Sequence, residues 1–296
     1  GLASGPGAAA LSGLNAQDQN LSFDLTPMAV NTNNPTRMVI AYFGIYESIN
    51  TNINPAAGQT RVLPLDQIQQ IDPAVGTNVP GSQVVTALVY GGSVGATDFD
   101  DVVVASRANQ VLYRQNVGDA FTSRTIQGAG TIRDIVVDPD DWKVVYAVDS
   151  RDVYRINDIT NPAQQWVKIT DNLRAIGQTG LRTVEYVEDA PRDFLLVGGI
   201  GGVSRLGDPG SAPGTEQWVS VGLGIPNAPV FDIEFLDLDG PGQISAGDKL
   251  IAGTLGRGVW SLSGADAMLS FGDVSVLNIL GSSAGADQFK LARNAD

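Results

Sequence analysis

An all-β fold assembled from repeats is what this sequence predicts, and three observations carry that prediction. One short phrase recurs along the chain, an alternating apolar stretch precedes each copy, and a further strand follows several copies. The best-formed copy runs Val136-Val137-Asp138-Pro139, Val144-Val145-Tyr146-Ala147, Val153-Tyr154-Arg155. An apolar strand enters a polar turn, a second strand ends on a small residue, and a third follows a short loop. Looser copies pair Val39-Ile40-Ala41 with Ile45-Tyr46-Glu47, and Val103-Val104-Ala105 with Leu112-Tyr113-Arg114. Two more pair Leu196-Val197-Gly198 with Val203-Ser204-Arg205, and Ile251-Ala252-Gly253 with Val259-Trp260-Ser261. Repetition of this kind decides architecture before any single residue is weighed.

The upstream stretches are Leu21-Phe23-Leu25, Val85-Ala87-Val89, Ile135-Val137, Val184-Tyr186 and Ile233-Phe235. Period-two alternation puts such side chains on one face of a sheet. Downstream strands are predicted at 121–126, 166–169 and 218–221. About four short strands per unit is the content of one β-propeller blade. The matched order within each unit favours a propeller over a β-sandwich. The expected architecture is five, or six, four-stranded blades over 21–263, with a C-terminal β-hairpin tail. Residues 1–20 read as a flexible lead or a closing strand for the fifth repeat, which lacks a fourth strand. Residues 264–296 read as a linker and the opening of a following β-module, with a hairpin around Gly281 to Asp287. The Asn-, Pro- and Gln-rich insert from Ile49 to Ser82 is expected on one face, and Leu65 to Ile71 hints at a turn of helix.

Composition narrows the chemistry. The formal net charge is −14, so nucleic acid and anionic membrane are poor partners, both needing a basic patch. With 0 Cys and 0 His, the chain can build no disulfide, thiol nucleophile, His-based triad or Cys/His zinc site. Acid–base work would fall on Asp, Glu, Tyr or Lys. No apolar run of about 18 residues is present, so no membrane insertion is expected.

The segment Asp138-Pro139 to Arg155 resembles the repeat of sortilin- and sialidase-type propellers. Gly253-Thr254-Leu255-Gly256-Arg257-Gly258-Val259-Trp260 is similar to a blade segment of the same group. Their Asp-box is degenerate here, Asn116-Val117-Gly118-Asp119-Ala120-Phe121 being the nearest approach. The tail from Leu277 to Leu291 resembles modules of long secreted bacterial proteins, with Gly281 and Ala286-Asp287 in matching places. The resemblance implies a secreted or cell-surface module of a larger bacterial protein. It also implies two enzyme alternatives. A sialidase-like site would gather three Arg residues on a substrate carboxylate and pair a Tyr nucleophile with a Glu. A glycoside hydrolase would set two carboxylates across a cleft. Arg133, Arg155, Arg182, Arg205 and Arg257 are available, but each reads as a solvated strand-end residue. Tyr46, Tyr113, Tyr154 and Trp260 hold equivalent places, which argues for packing rather than a sugar platform.

One loop has a metal-like spacing. From Asp237 to Asp248, Asp237, Asp239, Gln243 (through its carbonyl), Ser245 and Asp248 fall where a twelve-residue calcium loop places ligands, with Gly242 at the sharp turn. Pro241 at the fifth position and Asp in place of Glu at the twelfth depart from that pattern. Calcium here would be structural; a polar hairpin with no ion is the competing reading. Asp98, Asp100 and Asp101 match no loop spacing, and Asp138-Pro139-Asp140-Asp141 reads as a plain turn. The function expected is a non-catalytic binding or scaffolding module for a protein or polysaccharide ligand. A third alternative is a self-associating surface-layer or filament subunit.

Overall fold

The computed structural model describes residues 27–41, 43–48, 69–72, 84–189, 192–221, 228–238, 240, 243–269, 277–278 and 288–289. Its contacts divide the chain into two compact units, Gly1–Val145 with Asp158–Trp166, and Tyr146–Asn157 with Val167–Asp296. Leu21 to Leu25 and the 1–20 lead lie outside the described residues.

In the first unit, β1 (Met28–Val30), β2 (Met38–Ala41), β3 (Ile45–Ser48) and β4 (Gln69–Gln70) form a four-stranded antiparallel sheet in chain order. One expectation is corrected here: Gln69–Gln70 is a strand rather than helix, pairing with Glu47 and Tyr46. The sheet therefore finds its fourth strand inside the long insert. Pairing a short polar strand against the fully buried β3 satisfies backbone groups that would otherwise be lost in the interior.

The second sheet comprises β5 (Val85–Tyr90), β8 (Val103–Arg107), β9 (Gln110–Arg114) and β10 (Thr122–Thr125). Between β5 and β8 the chain makes a small hairpin, β6 (Ser93–Val94) and β7 (Thr97–Asp98). That hairpin joins the third sheet through Val94, which pairs with Asp141 of β12 (Asp141–Val148). The sequence gives no sign of this annexed hairpin. Val39 and Ala41 pack with Val85, Tyr90, Val103 and Ala105, so one face of the first sheet lies on the second.

The third sheet also holds β11 (Asp134–Asp138), β13 (Val153–Ile156) and β14 (Val167–Lys168). In the β11–β12 turn, Asp138 Oδ1 accepts the Asp140 amide at 3.0 Å, the Asx geometry expected of Asp-Pro-Asp. In the second unit, β15 (Thr183–Val187), β16 (Phe194–Gly199), β17 (Gly202–Gly207) and β18 (Val219–Val221) repeat the four-stranded order. A three-stranded sheet follows: β19 (Val230–Leu236), β20 (Lys249–Thr254) and β21 (Gly258–Ser263). Val187, Phe194 and Leu196 meet Val230, Ile233, Leu250 and Ala252 in one apolar cluster. Gly198 makes this approach possible: a Cβ there would fall 2.7 Å from both Thr183 Cγ2 and Val230 Cγ1. A short helix, α1 (Ala265–Leu269), buries Ala265 and Leu269 in the same cluster. The tail hairpin is present as β22 (Leu277–Asn278) and β23 (Gln288–Phe289).

The fold is thus nearly all β, with the blade-type antiparallel meander recurring along the chain.

Candidate functional site

The most concentrated chemistry among the described residues sits in the first unit, on the repeated third strand. Glu47 in β3 is 4% exposed, flanked by buried Tyr46 and Ser48. A carboxylate in such a place must be paired and hydrogen-bonded. Arg114, from the equivalent position of β9, meets it as a fork. Its Nη1 donates to Oε2 at 3.1 Å and its Nη2 to Oε1 at 2.8 Å. Arg37, just before β2, donates to Oε1 at 3.1 Å and to Asp101 Oδ1 at 2.7 Å. The Tyr90 hydroxyl, at the end of β5, also donates to Oε1. Arg114 further donates to the Asp101 carbonyl from Nε at 3.3 Å and Nη2 at 3.1 Å.

Burial by itself pushes the Glu47 carboxyl up. The hydrogen bonds from Arg114 and Tyr90, with the charges of Arg114 and Arg37, outweigh it and hold the group below its ordinary value. Burial, then the Glu47 contact and charge, push the Tyr90 phenol well above its ordinary value. Tyr90 is held as a protonated donor, and Glu47 as an anion saturated by donors. The same contact sets a tyrosine beside a glutamate, as a sialidase-like site would require. Here the guanidinium groups already bind the protein's own carboxylate rather than facing an open anion site.

A cavity of about 390 Å³ opens beside this cluster. Glu47 and Arg114 form part of its wall. Gln69, Gln70 and Ile71 contribute another side, and the 117–120 turn between β9 and β10 a third. That turn is the degenerate Asp-box. Asp119 Oδ2 accepts the Asn116 amide at 3.0 Å and its side-chain Nδ2 at 2.8 Å, so the acid closes the turn. Nearby, Arg107 and Asp72 form a second buried pair at 2.5 Å, and Arg107 also donates to the Phe43 carbonyl at 3.0 Å.

The calcium-like loop has a different internal order. Asp248 is fully buried and accepts two amides, Leu238 N at 2.9 Å and Ser245 N at 2.6 Å, one on each oxygen. Those backbone bonds, Leu238 first, hold its carboxyl below the ordinary range. Asp237 Oδ1 accepts the Gly240 amide at 2.8 Å, and Ser245 Oγ the Gly247 amide at 3.1 Å. Asp239 lies outside the described residues, and Gln243 lies within them. Each oxygen of Asp248 thus already takes one backbone amide, and these bonds order the loop without an ion. Replacing Asp248 by alanine should therefore lower the melting temperature in chelator as well as in calcium. A loss seen only in calcium would mean that the ion, not the amides, organises the loop.

Of the arginines, Arg133 and Arg257 are exposed as expected. Arg155 and Arg205 are not: they are 5% and 7% exposed. Their strand position points inward, and the interior compensates. Arg155 donates to the Pro209 and Ser211 carbonyls, and Arg205 lies over the Phe194 ring at 5.5 Å. Half-buried Arg182 stacks over Phe231 at 5.0 Å. Tyr46 and Tyr154 are buried as packing residues, whereas Tyr113 and Trp260 are only half-buried. Asp98 accepts the Ser93 hydroxyl at 3.1 Å, and Asp101 is drawn into the Glu47 cluster. In the second unit, Asp152 gathers Lys168, Thr170 and Arg174 at 2.9 to 3.1 Å.

Sequence reasoning passed over Glu47 and Arg114. Their signal was present: one repeat position carries Glu47, Arg114, Arg155, Arg205 and Ser261. Opposite charges at that position in consecutive repeats, each inside an otherwise apolar strand, are what an ion pair between neighbouring sheets requires.

No family model and no curated protein matches the sequence. Among solved structures, an ancestral GH74 enzyme is similar at 10% identity and a TM-score of 0.44, over 80% of this chain and 38% of that one. The chain thus spans well under two thirds of that enzyme's length. The β-propeller domain of Cps50 (Swd1) from Myceliophteria thermophila is similar at 10% identity and a TM-score of 0.49, over 90% of this chain and 71% of that one. Neither score is high enough to lend this chain a neighbour's activity.

Proposed function

We propose that this chain is a non-catalytic binding module, with its ligand site in the cavity beside Glu47 and Arg114. The observation that carries this reading is the saturated wall. Glu47 is already held by Arg114, Arg37 and Tyr90, so this carboxylate presents a fixed polar surface rather than an acid or base free to move a proton. Gln69 and Gln70 are exposed and offer amide donors and acceptors, while Ile71 and Val117 add apolar contact. Mixed lining on a rigid scaffold is the usual make-up of a ligand pocket. Two carboxylates, Glu47 and Asp119, against one guanidinium disfavour an anionic ligand. The ligand class is an uncharged polar oligomer, and a neutral polysaccharide is its simplest form. The likeness of the repeats to sortilin- and sialidase-type propellers supports a secreted or surface setting.

Native electrophoresis in gels cast with neutral polysaccharides tests this. Migration of the chain should be retarded, and Gln70→Ala should relieve the retardation by several-fold. Unchanged migration across a range of neutral polysaccharides would contradict the proposal. Release of reducing ends, abolished by Glu47→Gln, would turn the site into a glycosidase.

A further inference from the structure

The turn between β9 and β10 is fixed by its own residues. The Asp119 amide donates to the Asn116 carbonyl at 3.1 Å. Gly118, just before Asp119, takes φ +85°, a left-handed conformation open to glycine. The Asp119 side chain is tied back as well: Oδ2 accepts the backbone amide of Asn116 at 3.0 Å and its side-chain Nδ2 at 2.8 Å. Both bonds fall on one oxygen. Among the described residues, Oδ1 accepts no hydrogen bond and the carboxylate has no lysine or arginine partner. The other acid of the cavity wall is in the opposite state. Glu47 is buried and engaged by two guanidinium groups and a phenol, whereas Asp119 is exposed.

Taking the cavity as the ligand site, on which this step rests, we infer that Asp119 selects the ligand, its Oδ1 accepting a hydrogen bond from a hydroxyl of a neutral sugar. An ionised carboxylate has no proton to give, so it recognises a donor and rejects a group that only accepts. A hydrogen bond to a charged acceptor is stronger than one between neutral groups. The carboxylate is oriented by Asn116 before any ligand arrives, so little freedom is lost on binding. Its charge is exposed and screened by water and salt, which leaves an ion pair with an ammonium group worth little. Ile71 and Val117 line the same cavity and suit the C–H faces of a sugar ring. A hydroxyl carried beside a C–H face is the chemistry that meets both parts of the wall.

The test is isothermal titration calorimetry of the whole chain with cello-, malto- and manno-oligosaccharides, each native and per-O-methylated. A methyl ether keeps the oxygen and loses the donor, so it should bind about tenfold more weakly than the native sugar. Asp119→Ala should weaken the native sugar several-fold, and in that variant the penalty for methylation should shrink, which added bulk alone does not explain. Asn116→Ala loosens the same turn with the carboxylate kept, and should cost less. Glucosamine oligomers, which carry ammonium groups, should gain nothing over neutral ones at physiological salt; a tenfold gain would assign Asp119 to a cation instead. Equal binding of native and methylated sugar, a methylation penalty unchanged in Asp119→Ala, or an equal loss in Asn116→Ala would overturn the role of Asp119 and leave the cavity as a sugar site. No binding of any of these sugars by the wild-type chain would overturn the binding reading itself, and the role of Asp119 with it.

Discussion

Replacing Glu47 by alanine should destabilise the protein by about 3–5 kcal/mol, the cost of removing one partner from a buried ion pair. Arg114 is 2% exposed and loses both arms of its fork, and Arg37 keeps only Asp101. Tyr90 loses the acceptor for its hydroxyl. Chemical denaturation should show the loss as a lower midpoint with an unchanged slope. Exchanging Glu47 and Arg114 together for apolar residues of similar size should restore much of it, since no charge is then left uncompensated. A single Glu47→Ala cost below about 1 kcal/mol, the range of exposed pairs, would mean that water reaches the cluster. The pH dependence has a fixed sign. The Glu47 carboxyl is lowered in the folded protein, so its contribution is present above the unfolded pKa and fades as pH falls through the folded one. The Tyr90 phenol is raised, so its contribution is complete below its unfolded value of about 10 and fades above it.

Trp218→Ala is the other large effect, about 3–5 kcal/mol. This side chain is 1% exposed in the second unit. Its indole N–H donates to the Ile169 carbonyl at 2.8 Å. Its backbone exchanges two bonds with the Asn172 amide, at 2.8 and 2.9 Å. Truncation opens a cavity and strands the Ile169 carbonyl, and both terms act in one direction. Trp218→Phe should recover most of the packing and retain the loss of that one hydrogen bond. Thermal or denaturant unfolding of the two variants separates the terms. Equal losses for both variants would assign the whole effect to the hydrogen bond.

Much of the fold was legible because alternation and repetition are written in apolar residues. β5, β8, β9 and β15 to β21 lie where the repeated phrase placed them. The misses are local and have physical causes. Gln69–Gln70 carries no strand signal, since its pairing is dictated by the open edge of β3 and not by its own side chains. The Ser93–Asp98 hairpin is held by a neighbouring sheet, a tertiary effect that no window of sequence contains. The site was legible only in part. The Asp237–Asp248 spacing marked a loop that the structure shows ordered around Asp248 by backbone amides, a bonding pattern that spacing alone does not reveal. Glu47 lay unnoticed because a lone charge in an apolar strand reads as an edge residue until Arg114 is brought opposite it.

The most direct test of the binding reading is a backbone amide NMR titration of the chain with a neutral oligosaccharide series. Shift changes should concentrate at 69–71 and 116–120, around the cavity, and the sugar should be recovered intact. Changes confined to other segments, or none at saturating sugar, would contradict the site, and cleavage of the sugar would contradict its non-catalytic character.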